Sequence, residues 1–187
     1  MNTKEMVQRI IVEDGMKQEF AQTLSSRVDR YLKVKQPVMV PYTEFAPASA
    51  ECALLFRDGH YYGCISLSQA VAEALARFLW LRNRWKPKKS FEENVDRLEV
   101  RRFISKEIKR KFLKIWQNRD DYHHLNLNIE RDREKLETLA YEKVVLLKEI
   151  ESELFQVSLA HGAIDPKNTK YWVLLDNDTI PESQEPK

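Results

Sequence analysis

The sequence predicts an all-α protein, an antiparallel bundle of four to five helices with a helical appendage at its N-terminus. Three observations predict it. Only 4 of the 187 residues are Gly, too few for the turns that an all-β chain needs. Apolar residues recur three and four apart over several long stretches instead of alternating. The connections between those stretches are short, which favours antiparallel neighbours. A hydrophobic share of 43% against 32% charged residues supports one sizeable core and excludes wholesale disorder.

Residues 1–47 read as the appendage and its connector. Met6 to Ile11 predicts a short helix that Gly15 stops, and Phe20, Leu24, Val28 and Tyr31 predict a second from about Met16 to Val34. The prolines of Gln36-Pro-Val-Met-Val-Pro41 then impose an extended connector or short strand. The bundle is expected over residues 48–156. It opens with a short helix from Ala50 to Arg57 that Asp58-Gly59 interrupts. A long helix from about Tyr61 to Trp85 follows, with Ile65, Ala72, Leu75 and Leu79 on one face and small Gly63, Ala70 and Ala74 permitting close approach.

Lys86-Pro-Lys-Lys breaks the pattern, and Ser90 with Glu93 predicts a capping box. A third long helix runs through Ile104, Ile108, Phe112 and Ile115 to about Gln117. A fourth begins between Asn128 and Arg133 and carries Leu136, Ala140, Val144, Leu147, Ile150 and Leu154 on one stripe. Residues 157–187 read as a tail, with Tyr171 to Leu175 a strand or docked segment and Pro181 to Lys187 disordered.

No uncharged apolar run is long enough for a bilayer, and the first residues lack a signal peptide's apolar stretch. Cys52 and Cys64 make neither a disulfide framework nor a metal-ligand cluster. The expectation is a soluble, cytoplasmic protein with no resident metal or cofactor. Charge is uneven along the chain. Arg77 to Arg119 holds fifteen Lys or Arg against five Asp or Glu, inside a chain of net charge +2. Such a stretch is either the footprint of a polyanion such as RNA or a solvated helix face. On the first reading Lys88, Lys89, Arg110, Lys111, Lys114 and His123 are candidate nucleic-acid-binding residues.

The segment Asn118-Arg-Asp-Asp-Tyr-His-His-Leu-Asn126 places a guanidinium, two carboxylates and two imidazoles together. Arg119 can hold a phosphate through fixed N–H donors, while His124 can move a proton near neutral pH. That pairing suits phosphodiester cleavage without a metal. His123 is the alternative imidazole. Glu73 either reaches across to Arg119 or faces solvent. Trp80, Trp85, Phe103, Phe112 and Trp116 interleave with Lys and Arg; they read as core or interface residues in preference to base-stacking platforms.

The Arg119-x4-His124 spacing, with Asp120 as polar neighbour, resembles the motif of the HEPN superfamily of helical-bundle proteins. Phe56 to Leu75 also looks like that family's early helix pair, and the resemblance spans about residues 48–155. It implies a homodimer whose Arg/His pairs line one cleft, and a metal-independent endoribonuclease in a toxin–antitoxin or defence setting. RNA would be the substrate, and an antitoxin or nucleotidyltransferase a partner. Carried over, His124 moves a proton at the 2′-hydroxyl, Arg119 positions the phosphate, and Asp120 orients one of them. The product would end in a 2′,3′-cyclic phosphate. Asn126 stands where some family toxins carry a Tyr that a partner modifies, so that control is not expected there. The dimer is an implication of the resemblance alone, because no heptad seam stands out in the sequence. The alternatives are a non-catalytic module binding RNA, a nucleotide or a protein, and a purely structural bundle.

Overall fold

A computed structural model describes residues 2–35, 45–160 and 163–172. The chain is mostly helical: α1 (Thr3–Val34), α2 (Ala46–Asp58), α3 (Tyr61–Arg82), α4 (Phe91–Val100), α5 (Lys106–Trp116), α6 (Arg119–His124) and α7 (Arg133–Leu154). A hairpin of β1 (Val157–Ala160) and β2 (Ala163–Pro166) and a 3-10 turn at Thr169–Tyr171 follow. The connector at Gln36–Pro41, Val173 to Leu175 and the last seven residues lie outside the described residues.

The appendage is one helix, not two. Asn2 and Glu5 form a capping box at its start, with both reciprocal bonds at 2.9 Å. Gly15 sits inside the helix with nothing within 4 Å of a Cβ placed there. One exposed Gly costs a helix only about 1 kcal/mol, which the intact turns on either side absorb. Among the described residues, only the end of α1 touches the bundle. Arg30 Nε donates to Arg57 O at 2.8 Å, Arg27 Nε lies 3.5 Å from Asp58 Oδ1, and Val34 is buried. These cations meet the last turn of α2, where free carbonyls and Asp58 favour positive charge. Thr3 to Gln22 is exposed throughout.

Gly59 ends α2 in the left-handed region (φ 78°), and a Cβ there would stand 2.9 Å from Arg133 Nη2. The chain therefore reverses sharply, and Cys64 Sγ donates back to Cys52 O at 3.4 Å. Both thiols are buried, and burial pushes Cys52 up to about 12. Helices α3 and α7 make the centre of the bundle. Tyr61 of α3 donates to Glu137 of α7, while Phe78 meets Phe155 at 6.4 Å, so these two helices run parallel. Helices α2 and α5 run antiparallel to α7: Phe56 packs on Tyr141, and Lys111 pairs with Glu149. The expected stripe of α7 is in the core, from Leu136 to Leu154. Each such fully buried Leu, Ile or Val contributes roughly 1.5–3 kcal/mol. Helix α3 is long and apolar enough by length and composition to suit a bilayer, but 56% of that window is buried within the bundle.

The expected third helix is split. Its apolar residues Phe91, Val95 and Leu98 and, further on, Ile108, Phe112 and Ile115 are all buried. A straight rod could not bring both groups against α3, so α4 and α5 fold back as a hairpin. Arg102 takes φ 57° at the turn, and Ser105 accepts from Ile108 N at 3.1 Å to start α5. At α4, Ser90 accepts from Glu93 N at 3.3 Å, but the Glu93 carboxylate pairs with Arg97 at 2.8 Å; only half of the expected capping box forms. After α7 the chain makes an antiparallel hairpin, Val157 opposite Pro166, that the sequence did not signal. Tyr171 then docks: its side chain is buried and its hydroxyl donates to Phe103 O at 2.6 Å. Trp80, Trp85 and Phe103 pack edge to face in one row, so these aromatics are core and not platforms.

One polar cluster crosses the core. The Ser49 hydroxyl of α2 donates to Glu151 of α7, and Lys148 Nζ donates to Ser49 Oγ at 3.0 Å and Glu151 Oε2 at 3.1 Å. All three side chains are buried. Breaking such a pair strands a charge, whereas removing both ions does not. Glu151→Ala should cost about 3–5 kcal/mol in urea unfolding. Lys148→Met with Glu151→Leu should recover most of that loss; a double variant as unstable as the single one contradicts this account.

Candidate functional site

The candidate motif forms α6, a single six-residue helix between two left-handed residues, Asn118 (φ 59°) and Leu125 (φ 50°). What places it is the end of α5. Lys143 of α7 is buried, and its Nζ donates to Ile115 O at 2.6 Å and Gln117 O at 3.0 Å. Gln69 Nε2 of α3 donates to the same two carbonyls at 3.2 and 3.1 Å. These are among the carbonyls that a helix end leaves unpaired. A cation there is also favoured by the helix dipole. Tyr122 fixes the other side of α6; it is buried and meets Tyr62 at 6.2 Å, while the Tyr62 hydroxyl donates to Glu130 O at 2.9 Å.

Arg119 lies 5.3 Å over the Trp116 ring, which itself stacks on Phe91 at 4.2 Å. Its side chain is 31% exposed, Nη1 reaches Asp120 Oδ1 at 3.0 Å, and Nε has no hydrogen-bond partner. Asp120 is 77% exposed, so that pair is a weak surface one. His123 and His124 are both exposed. His123 follows Arg119 by one helical turn, and burial, then the Arg119 and His124 charges, hold its imidazole below the ordinary 6.5. Glu73 faces this group, acting on His123 in the opposite direction, but its carboxylate pairs with Arg77 at 2.9 Å and not with Arg119. Asn126 Nδ2 donates to Asp120 O and Asp121 Oδ1, both at 3.3 Å, closing the segment on itself.

The basic candidates on α5 are neutralised in space. Arg110 pairs with Glu107 at 2.6 Å, Lys111 with Glu149 at 3.2 Å, and Lys114 with Glu142. Lys109 likewise meets Asp96 at 2.9 Å. Lys88 and Lys89 are exposed on the loop into α4 and make no ion pair among the described residues. Asn94 holds that loop, accepting from Lys88 N at 2.7 Å and donating to Lys88 O at 3.0 Å. The loop leads into Phe91, and through Phe91 and Trp116 it adjoins Arg119. The Phe91–Trp116 stack thus links the Lys88–Lys89 loop, on the Phe91 side, to Arg119 and the α6 residues Asp120, His123 and His124, on the Trp116 side. The structure leaves Arg110, Lys111 and Lys114 paired along α5. Among the described residues, no three His, Cys, Asp or Glu side chains group as metal ligands.

Sequence reading passed over Lys143 and Gln69, the residues that shape the α5–α6 junction. A signal existed. Lys143 falls between Ala140 and Val144 on the buried stripe of α7, and a lysine there must find oxygens or lose its proton.

Burial brings the Lys143 ammonium down to about 8 from an ordinary 10.5. Between those values the unfolded chain binds a proton that the folded chain lacks, so this group's contribution to stability rises with pH across that window. Relative to Lys143→Met, the wild type should gain up to about 3 kcal/mol between pH 7 and 10.5 in denaturant titrations. A stability difference that stays flat with pH would contradict the assignment.

No protein-family model, curated protein or solved structure matches this chain.

Proposed function

We propose that this protein is an RNA-binding, HEPN-like helical bundle that cleaves RNA without a metal at α6. The observation that supports the reading is the half-exposed Arg119 guanidinium, seated on Trp116 with two exposed imidazoles on the same short helix. His124 takes the proton of the RNA 2′-hydroxyl, with His123, whose imidazole is held below its ordinary value, as the alternative. The 2′-oxygen then attacks phosphorus, and Arg119 carries the charge gathering on the non-bridging oxygens. The bond to the 5′-oxygen breaks, and His124 supplies the proton that this leaving oxygen takes. The products are a 2′,3′-cyclic phosphate and a 5′-hydroxyl. Asp120 orients Arg119. A cytoplasmic location, a homodimer and an antitoxin or nucleotidyltransferase partner belong to the same reading.

A second reading is a binding module without turnover. The Arg119–Asp120 pair favours it.

Purified protein incubated with mixed RNA in EDTA should yield cyclic-phosphate ends. Arg119→Ala and His124→Ala, both folded by circular dichroism, should each lose roughly 100-fold or more in rate. Wild-type rates in both variants would refute the nuclease reading. Binding without cutting, weakened by Lys88→Ala with Lys89→Ala, would establish the second.

A further inference from the structure

The first twenty residues of α1 stand clear of the bundle, yet they carry an apolar seam. Met6, Ile10, Phe20 and Leu24 are 44–54% exposed. With Glu13 and Lys17 between them, these six positions follow one another at alternating steps of four and three residues. That is the a/d repeat of a coiled coil, and it emerges only because α1 continues through Gly15. Continued at the same steps, the seam runs on through Arg27 and Val34, which dock on the bundle, so its free part is Met6 to Leu24. Helices in proteins draw most of their stability from packing an apolar face, so the exposed seam calls for a partner.

The order of residues along the seam says which partner. The set mirrors itself about the middle of the segment: Met6 mirrors Leu24, Ile10 mirrors Phe20, and Glu13 mirrors Lys17. In an antiparallel pair of identical helices each a position faces a d position. Met6 then meets the second copy's Leu24, Ile10 meets its Phe20, and Glu13 meets its Lys17 across the axis. In a parallel pair Glu13 would face Glu13 and Lys17 would face Lys17, which is repulsive. An anionic membrane surface fits poorly, because Lys4, Arg9 and Lys17 are matched by Glu5, Glu13, Asp14 and Glu19. We infer that α1 pairs with α1 of a second copy of this chain, antiparallel, with the twofold axis beside the Glu13–Lys17 turn.

The apolar layers run from Met6 to Leu24, nineteen residues and about 27 Å of helix. The two bundles lie at opposite ends of the pair, so this contact is separate from any bundle-to-bundle dimer. It stands whether or not α6 cleaves RNA. Within one chain, Lys17 already lies 2.8 Å from Glu13, and pairing across the axis exchanges one such contact in each chain for two between the chains.

Full-length protein should sediment at twice the mass of Glu13→Lys or of Lys17→Glu, because each variant loses the α1 contact while any bundle-to-bundle contact is untouched. Mixing the two variant chains should restore the dimer, because opposite charges then face across the axis while each chain keeps its own like-charged turn. A Met6→Cys chain mixed with a Leu24→Cys chain should form a disulfide on oxidation, and Leu24→Cys alone should not. The native Cys52 and Cys64 are buried and do not compete. A monomeric wild type, a dimer indifferent to Glu13→Lys, or self-crosslinking of Leu24→Cys would each overturn the inference.

Discussion

A buried ammonium cannot stay unpaired, and the Lys143 amine is therefore the constraint on which the candidate site depends. Set among the apolar residues of α3, α5 and α7, it reaches the last carbonyls of α5 at Ile115 and Gln117. Gln69 shares the same oxygens from α3. Three helices are thus tied where α5 stops, and the chain must leave that knot through Asn118 in a left-handed conformation. Helix α6 begins at the next residue, so Arg119 and the two imidazoles are presented from a rigid base. The Ser49–Lys148–Glu151 cluster does the same for α2 and α7. Both clusters draw on α7, which carries an apolar stripe and the buried polar groups that register it.

Charge distribution in space differs from charge along the chain. The stretch from Arg77 to Arg119 is strongly basic in sequence. In the fold, Lys111 and Lys114 of α5 meet carboxylates of α7, and Lys109 meets Asp96 and Glu99 of α4. Pairs of this kind hold helices in register more than they stabilise them. The surplus of positive charge is left on the loops at the ends of α3 and α4. There Arg84 and Arg102 occupy left-handed positions, and Arg101 lies 4.3 Å over Trp85.

Much of the fold was legible because it rests on short-range pattern. The stripes of α3 and α7, Gly59 as a stop, and Ser90 as a cap are all where periodicity and turn chemistry put them. The misreadings share a cause. Gly15 reads as a stop only if its flanking turns are weak, and here thirty-two residues propagate through it. The break at Arg102 comes from α4 and α5 both needing α3, a tertiary demand with no Gly to announce it. The hairpin after α7 is short and is held by pairing across a turn, not by local propensity. At the candidate site, the grouping of Arg119, Asp120, His123 and His124 on one short segment was readable. The neutralisation of Lys111 and Lys114 was not, since their partners on α7 lie some thirty to forty residues away.

The most direct test of this account is the titration of Lys143 itself, followed by NMR through its side-chain carbon next to the amine. The account predicts a midpoint near 8 in the folded protein, with the backbone amides of residues 118–125 shifting at the same pH. That would tie the buried lysine to the conformation that presents Arg119. A midpoint near 10.5, or α6 amides that ignore the transition, would show that α6 is placed by something other than the Lys143 knot.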